Sequence, residues 1–107
     1  MAIDLNRDTY DSKVTKSELP IMVDFWGPKC ARCLALMPAV DELEKKYEGK
    51  IKVAKVNATD NRMLCAKLRV MGLPAYLFYK GGAEVKRLVG EQITKESLNS
   101  AINEILS

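Results

Sequence analysis

Apolar and polar positions follow two periods along the chain, one typical of buried strands and one typical of helices. Residues 21–26 (IMVDFW) are mostly apolar and are bounded by prolines and a glycine, which predicts a buried central strand. From residue 31 to 47 the period becomes helical and acids and lysines fill the other face, which predicts an amphipathic helix that ends at Gly49. The side chains expected to face the sheet are Leu34, Met37, Val40, Leu43 and Tyr47.

The remaining segments continue this alternation. Further strands are predicted at residues 3–5, 51–56, 75–79 and 84–89. Further helices are predicted at residues 9–16, at residues 60–69, and from Thr94 as N-cap toward the C-terminus. Gly81-Gly82 predicts a tight turn that joins the last two strands as a hairpin. The apolar positions of the last two helices are Met63, Leu64 and Leu68, and then Leu98, Ala101, Ile102 and Ile105.

This order of elements predicts an α/β fold, in which a central mixed β-sheet of four to five strands is flanked on both faces by about four helices. A chain of 107 residues is long enough for one hydrophobic core and too short for two, so we expect one domain over residues 1–107. Hydrophobic residues make up 48% and charged residues 29%, the balance of an ordinary globular protein.

Charge and hydropathy exclude several classes of function. The net charge of +3 is small and its cations are interleaved with acids, so we expect no nucleic-acid partner. The first residues contain neither a basic stretch nor an apolar run, so they do not resemble a secretory signal. No segment approaches the roughly 18 apolar residues of a membrane span. We therefore expect a soluble, cytoplasmic protein that does not bind membranes.

The three cysteines and the absence of histidine restrict the chemistry further. Without an export signal, a structural disulfide framework is not expected. Cys/His pairs, Ser-His-Asp triads and histidine-containing zinc sites are excluded because each requires an imidazole. Redox chemistry and thiolate metal binding remain.

Two cysteines lie three residues apart at the predicted start of a helix, in the sequence Cys30-Ala31-Arg32-Cys33. This spacing lets the two thiols meet and close a small disulfide ring. The free N–H groups and the positive dipole end of the first turn stabilise a thiolate, so Cys30 is expected to have a lowered pKa and to act as nucleophile. Cys33, one turn further in, is expected to be shielded and to resolve the mixed disulfide.

Metal binding is the alternative chemistry for this pair. A zinc site needs four ligands, and the only other thiol is Cys65, with no histidine in the chain. Redox chemistry is therefore favoured, with no bound metal or cofactor. Cys65 itself is interpreted as a small buried apolar residue rather than a site of regulatory oxidation.

Several motifs in this order resemble the thioredoxin family over nearly the whole chain. They are Val23-Asp24-Phe25-Trp26, Cys30-x-x-Cys33, Pro38, Gly72-Leu73-Pro74 and Gly81-Gly82. The resemblance implies the thioredoxin fold and a reductase of protein disulfides. It also implies that the partners are disulfide-containing proteins and a thioredoxin reductase, either an NADPH-dependent flavoprotein or a ferredoxin-linked enzyme. We expect the chain to act as a monomer.

Asp24 and Lys55 are the further residues to which the resemblance gives a catalytic role. Asp24 matches the buried acid of the family, which helps to move a proton from the resolving thiol, here that of Cys33. Its place inside an apolar strand is expected to desolvate the carboxyl and raise its pKa, as a proton acceptor near neutrality requires. Lys55 matches the lysine beside that acid on the next strand.

The substrate groove is also assigned by resemblance. Pro74 matches the family's cis-proline, and the backbone of Leu73 would pair with an extended substrate strand. Met71 is placed either on the rim of this groove or as a gap filler in the core. The residues expected to bind substrate are Trp26, Lys29, Arg32, Gly72, Leu73, Pro74 and Gly90.

Two alternatives to the enzyme remain open at this point. One is a non-catalytic binding module, in which the thioredoxin-like surface docks a partner and the dithiol is incidental. The other is a metal-binding protein that uses Cys30 and Cys33. An insulin-reduction assay with dithiothreitol as electron donor distinguishes the enzyme from both alternatives.

The chain departs from the family pattern around the dithiol. The family usually has an aromatic residue followed by Cys-Gly-Pro-Cys, whereas this chain has Lys29 followed by Cys-Ala-Arg-Cys. Cations beside Cys30 favour its thiolate and hence the reduced form, which makes the disulfide a stronger oxidant. They also suggest a surface suited to acidic partners.

We predict that the reduction potential of the Cys30–Cys33 pair is less negative than that of an ordinary thioredoxin, because the two cations stabilise the thiolate. Equilibration with a glutathione buffer measures it. A potential equal to or below that of an ordinary thioredoxin would show that the charge argument is wrong.

Overall fold

Five strands form one mixed sheet within residues 2–107, which are the residues that the computed structural model describes. The strands are β1 Ile3–Asp4, β2 Ile21–Trp26, β3 Lys52–Asn57, β4 Ala75–Lys80 and β5 Ala83–Val89. Their order across the sheet is β1-β3-β2-β4-β5. β1 and β2 run parallel to β3, whereas β4 is antiparallel to both β2 and β5. The predicted mixed sheet, its central strand and its hairpin are confirmed.

Four α-helices in the described part of the chain connect and cover these strands. They are α1 Tyr10–Thr15, α2 Ala31–Lys46, α3 Arg62–Leu68 and α4 Lys95–Leu106. α3 is shorter than the predicted 60–69, because a 3₁₀ turn occupies Ala58–Asp60 and Arg69 adopts a left-handed φ of 58° that ends the helix. None of these helices, within residues 2–107, has the length and apolar character needed to cross a bilayer.

Thr94 is confirmed as the N-cap of α4. Its hydroxyl accepts a hydrogen bond from the Ser97 N–H (3.1 Å), and the Ser97 hydroxyl accepts one from the Thr94 N–H (2.9 Å). This reciprocal pair satisfies two N–H groups that a helix start leaves free.

The core consists of two clusters, one on each face of the sheet. α2 and α4 cover one face, where their apolar side chains pack on Met22, Tyr76 and Phe78. α1 and α3 cover the other face, where they pack on Val23, Phe25 and neighbouring strand residues. Side chains alternate between faces along a strand, so Asp24 lies on the same face as Met22, beneath α2. Because β2 is covered on both sides, its residues from Ile21 to Phe25 are all buried.

The predicted buried face of α2 is partly wrong. Leu34 is 43% exposed and Met37 is only partly buried, whereas Cys33 and Leu36 are buried together with the correctly predicted Val40, Leu43 and Tyr47. The buried face of α2 that contacts the sheet therefore begins at Cys33. Residue 34 follows Cys33 by about 100° around the helix axis, which turns Leu34 away from that face.

The apolar residues of α3 are not all buried. Leu64 and Cys65 are the buried residues of α3, and Met63 is 69% exposed. In a helix of only seven residues, one shift of register moves an apolar residue from the core to solvent.

Leu36→Ala and Leu34→Ala form a matched pair that tests the register of α2. Truncation of the buried Leu36 should lower the free energy of unfolding by about 2–5 kcal/mol, because it leaves a cavity against the sheet. The same change at the exposed Leu34 should lower it by less than about 1 kcal/mol. Urea unfolding of the oxidised proteins measures both, and equal losses would contradict this register.

Candidate active site

Cys30 and Cys33 form a disulfide at the start of α2. Their Cα atoms lie 5.3 Å apart, and Cys30 is the N-cap residue, whose Sγ accepts a hydrogen bond from the Cys33 N–H at 3.2 Å. The two cysteines differ in accessibility: Cys33 is 1% exposed, whereas Cys30 is only partly buried. The predicted spacing and the predicted shielding of Cys33 are confirmed.

The turn that carries Cys30 is held close to the loop before β4. After β2 ends at Trp26, the Cys30 N–H donates to the Gly27 carbonyl at 3.0 Å. A Cβ on Gly27 would lie 3.3 Å from Cδ1 of Leu73, tighter than most side-chain contacts. Glycine at position 27 therefore lets the backbone beside the dithiol approach Leu73, and Trp26 remains partly exposed at the end of the strand.

The peptide bond between Leu73 and Pro74 is cis, as the resemblance implied. Pro74 is buried, and its carbonyl accepts a hydrogen bond from the Gly90 N–H at 3.0 Å. Gly90 has a φ of 119°, a conformation that side chains rarely adopt, and this explains glycine there. Gly72 is different, because a Cβ at that position would make only an ordinary contact of 3.6 Å with Val89. Met71 is 93% exposed, which excludes it as a core gap filler.

Asp24 is the buried carboxyl of the site, with 1% of its surface exposed. Burial raises its pKa from an ordinary 3.8 to about 7; the nearby Lys55 opposes this rise and Asp41 adds to it. Lys55 is the register neighbour of Asp24 on β3, and its Nζ lies 3.8 Å from Oδ1 of Asp41 on α2. The expected raised pKa and the expected neighbouring lysine are both present in the structure.

The two cations around the dithiol have different environments. Lys29 is exposed. The guanidinium of Arg32 instead bends toward the loop before α4, where Nη2 donates to the Ile93 carbonyl at 2.6 Å. Arg32 is partly buried, so Lys29 is the more open of the two charges to a protein partner.

Tyr76 is a polar residue of this region that the sequence analysis missed. It is completely buried on β4, directly opposite Asp24 in the antiparallel register of β2 and β4. The side-chain atoms of residues 2–107 that are buried without a hydrogen-bond partner are Oδ1 and Oδ2 of Asp24, Nε of Arg32 and the hydroxyl of Tyr76. A tyrosine within the buried strand was the available signal, but only the register shows that it lies opposite the acid.

Cys65 lies apart from this site. It is 8% exposed in α3, packed in the cluster on the other face of the sheet, and burial raises the pKa of its thiol. Its burial among apolar residues agrees with the interpretation as a small core residue. Within the described range no group of three or more cysteine, aspartate or glutamate side chains is arranged to hold a metal ion.

Comparisons with known proteins agree with this geometry. A family model described as Thioredoxin matches residues 1–104. The chain is 35% identical over 105 residues to Thioredoxin 1 of Nostoc sp., with 98% of this chain and 97% of that protein covered. It is 37% identical over 98 residues to a thioredoxin of Synechocystis sp., covering 92% and 91% of the two chains. It is 36% identical over 104 residues to the chloroplastic M-type thioredoxin of Spinacia oleracea, covering 97% of this chain and 57% of the other.

The raised pKa of Asp24 predicts how stability depends on pH. Between its unfolded and folded pKa values, the native protein holds a proton that the unfolded chain has lost, so stability falls as pH rises. We expect the free energy of unfolding to drop by about 2–3 kcal/mol from pH 5 to pH 8, and to level off above that.

Asp24→Asn is the control for this prediction. It removes the titrating group, so the variant should be more stable than the parent at pH 8 and should show a nearly flat profile from pH 5 to pH 8. Urea unfolding of the oxidised proteins across this range gives both curves. Parallel curves would show that another group causes the pH dependence.

Proposed function

Since this chain belongs to the thioredoxin family and is a thiol–disulfide oxidoreductase, we propose that Cys30 is its nucleophile and Cys33 its resolving cysteine. The observation that carries this assignment is the difference in accessibility within one disulfide. Cys30 is partly open at the N-cap of α2, whereas Cys33 is 1% exposed against the sheet. A protein disulfide can approach the first sulfur and is kept from the second.

The cycle transfers two electrons from the dithiol to the substrate. The Cys30 thiolate attacks one sulfur of the substrate disulfide, forms a mixed disulfide and expels the other sulfur as a thiolate. Cys33 then loses its proton and attacks Sγ of Cys30, which restores the Cys30–Cys33 disulfide and releases the second substrate thiolate. The free N–H groups and dipole of α2 stabilise the Cys30 thiolate that starts the cycle.

Asp24 accepts the proton that Cys33 loses. Its pKa of about 7 lets it take up and release a proton near neutrality, as a general base requires. The charge of Lys55 favours the ionised form of Asp24. The Lys55 Nζ also forms an ion pair with Oδ1 of Asp41 at 3.8 Å. Lys55 is therefore a positioning residue, which adjusts the acid rather than touching the thiols.

The substrate surface surrounds Cys30. The backbone of Leu73, beside the cis Pro74, pairs with an extended substrate segment, and Gly72, Gly90 and Trp26 border it. Lys29 supplies an exposed cation for acidic partners. Arg32 contributes through its contact with Ile93, which supports the loop at the far side of this surface.

Disulfide-containing proteins and a thioredoxin reductase are the partners of the family to which this chain belongs. The reductase for this chain is either an NADPH-dependent flavoprotein or a ferredoxin-linked enzyme, and each can be offered to the oxidised protein separately. The chain works as a cytoplasmic monomer, with residues 1–107 as one domain that needs no resident cofactor.

Cys30→Ser and Cys33→Ser separate the roles of the two sulfurs. We expect Cys30→Ser to lose insulin reduction with dithiothreitol to the uncatalysed rate, because the remaining Cys33 thiol is buried and cannot reach a substrate disulfide. Cys33→Ser should lose turnover but accumulate mixed disulfides with substrate proteins in lysate, because the resolving attack is missing. Non-reducing gels and mass spectrometry identify the trapped species.

Cys65→Ser is the matched control, since this thiol is buried in α3 and should leave turnover unchanged. Trapping by the Cys30→Ser variant instead of the Cys33→Ser variant would reverse the assignment. Partner-dependent function that survives Cys30→Ser would favour the non-catalytic binding module.

A further inference from the structure

The four buried polar atoms without hydrogen-bond partners in residues 2–107 belong to three neighbouring side chains, Asp24, Tyr76 and Arg32. Asp24 and Tyr76 face each other across β2 and β4 on the side of the sheet that α2 covers. Arg32 reaches the same region from α2, because its Nη2 is bonded to Ile93, which packs in the same cluster as Tyr76.

The charges of both Asp24 and Arg32 affect the pKa of the Tyr76 phenol. The Asp24 carboxylate raises the pKa of the Tyr76 phenol and the Arg32 guanidinium lowers it, in addition to a larger rise from burial. Arg32 is not among the charges that act on Asp24, which are those of Lys55 and Asp41. Of the three side chains, the phenol is the one on which both of the others act.

The hydrogen-bonding capacities of the three side chains are complementary. Nε of Arg32 can only donate, a phenol hydroxyl can both donate and accept, and an ionised carboxylate can only accept. Leaving such groups buried and unpaired costs about 1–3 kcal/mol each, and more where a charge is involved. Two hydrogen bonds through the phenol would give each of the three side chains a partner.

We propose that Tyr76 and Arg32 are positioning residues for Asp24: Arg32 Nε–H donates to the Tyr76 hydroxyl, which donates to the ionised Asp24 carboxylate. This inference rests on the proposed role of Asp24 as the proton acceptor for Cys33. The relay stabilises the carboxylate and so counteracts the desolvation that burial imposes. It links Arg32, the second residue between the two cysteines, to the buried acid.

Several other titratable groups also surround the Asp24 carboxyl. Lys55 faces it from β3, Asp41 and Cys33 belong to α2, and Tyr76 faces it from β4. Lys55 and Asp41 remain in place in all the variants below, so a difference between variants reports the phenol and the guanidinium.

Tyr76→Phe tests the relay, because it removes the hydroxyl and keeps the ring. The Asp24 carboxyl is titrated by its ¹³C chemical shift in labelled, oxidised protein. Loss of a hydrogen bond to the charged form should raise the pKa of Asp24 by about 0.5–1, which is about three- to tenfold tighter proton binding.

Tyr79→Phe is the matched control on the same strand. Tyr79 is also buried, but it lies on the opposite face of the sheet, where its hydroxyl is bonded to that of Tyr10 at 2.9 Å. This variant should leave the Asp24 titration unchanged. An equal change in both variants would show a general loosening of the core and overturn the proposal, as would an unchanged titration in Tyr76→Phe.

Arg32 provides a second and independent readout if Tyr76→Phe does not fold. Arg32→Met should raise the pKa of Asp24 in the same direction but by less, because the Tyr76 hydroxyl can still donate to the carboxylate, and an unchanged titration would overturn the relay. Where Tyr76→Phe folds, the double variant should titrate like Tyr76→Phe alone, because that change already breaks the chain. Additive changes would contradict the relay. Since the carboxyl titration needs no substrate, it remains readable even if insulin reduction shows that the cysteine assignment is wrong.

Discussion

The burial of β2 on both of its faces is the constraint on which the rest of this structure depends. Helices cover the central strand from either side, so every residue from Ile21 to Phe25 is removed from water. Four of these residues are apolar and stabilise the fold by that burial. The fifth is Asp24, and the same burial that stabilises its neighbours destabilises its charged form. The strand at the centre of the core therefore also contains a carboxyl group whose pKa is raised by burial.

Much of the fold could be predicted because the local signals agree with one another. The apolar run of β2, the Gly81-Gly82 turn and the Thr94 cap each depend on a few adjacent residues, and the structure confirms all three. The errors lie where the sequence offers two nearly equal helical faces. In α2, both Leu34 and Leu36 are apolar, and only packing against the sheet selects Leu36.

In the site, too, the local features could be predicted from the sequence and the long-range contacts could not. Its covalent part, Cys30 and Cys33 at a helix start, could be predicted because spacing and position along one helix are local properties. The sequence shows that Arg32 replaces the usual proline between the cysteines, but it does not show that the guanidinium reaches Ile93, 61 residues away. Tyr76 was missed because its position opposite Asp24 depends on how β2 pairs with β4. The register of two strands that are distant in sequence cannot be predicted from either strand alone.

Two hydrogen bonds described above join parts of the site that are far apart in sequence. The Gly90 N–H is bonded to the carbonyl of Pro74, and Arg32 is bonded to the carbonyl of Ile93. The segment between Gly90 and Ile93 is thus tied at one end to the proline loop and at the other to the helix that carries both thiols. If the substrate surface proposed above is the binding site, this segment is already fixed before a protein arrives, so little of the binding free energy would be spent on ordering it.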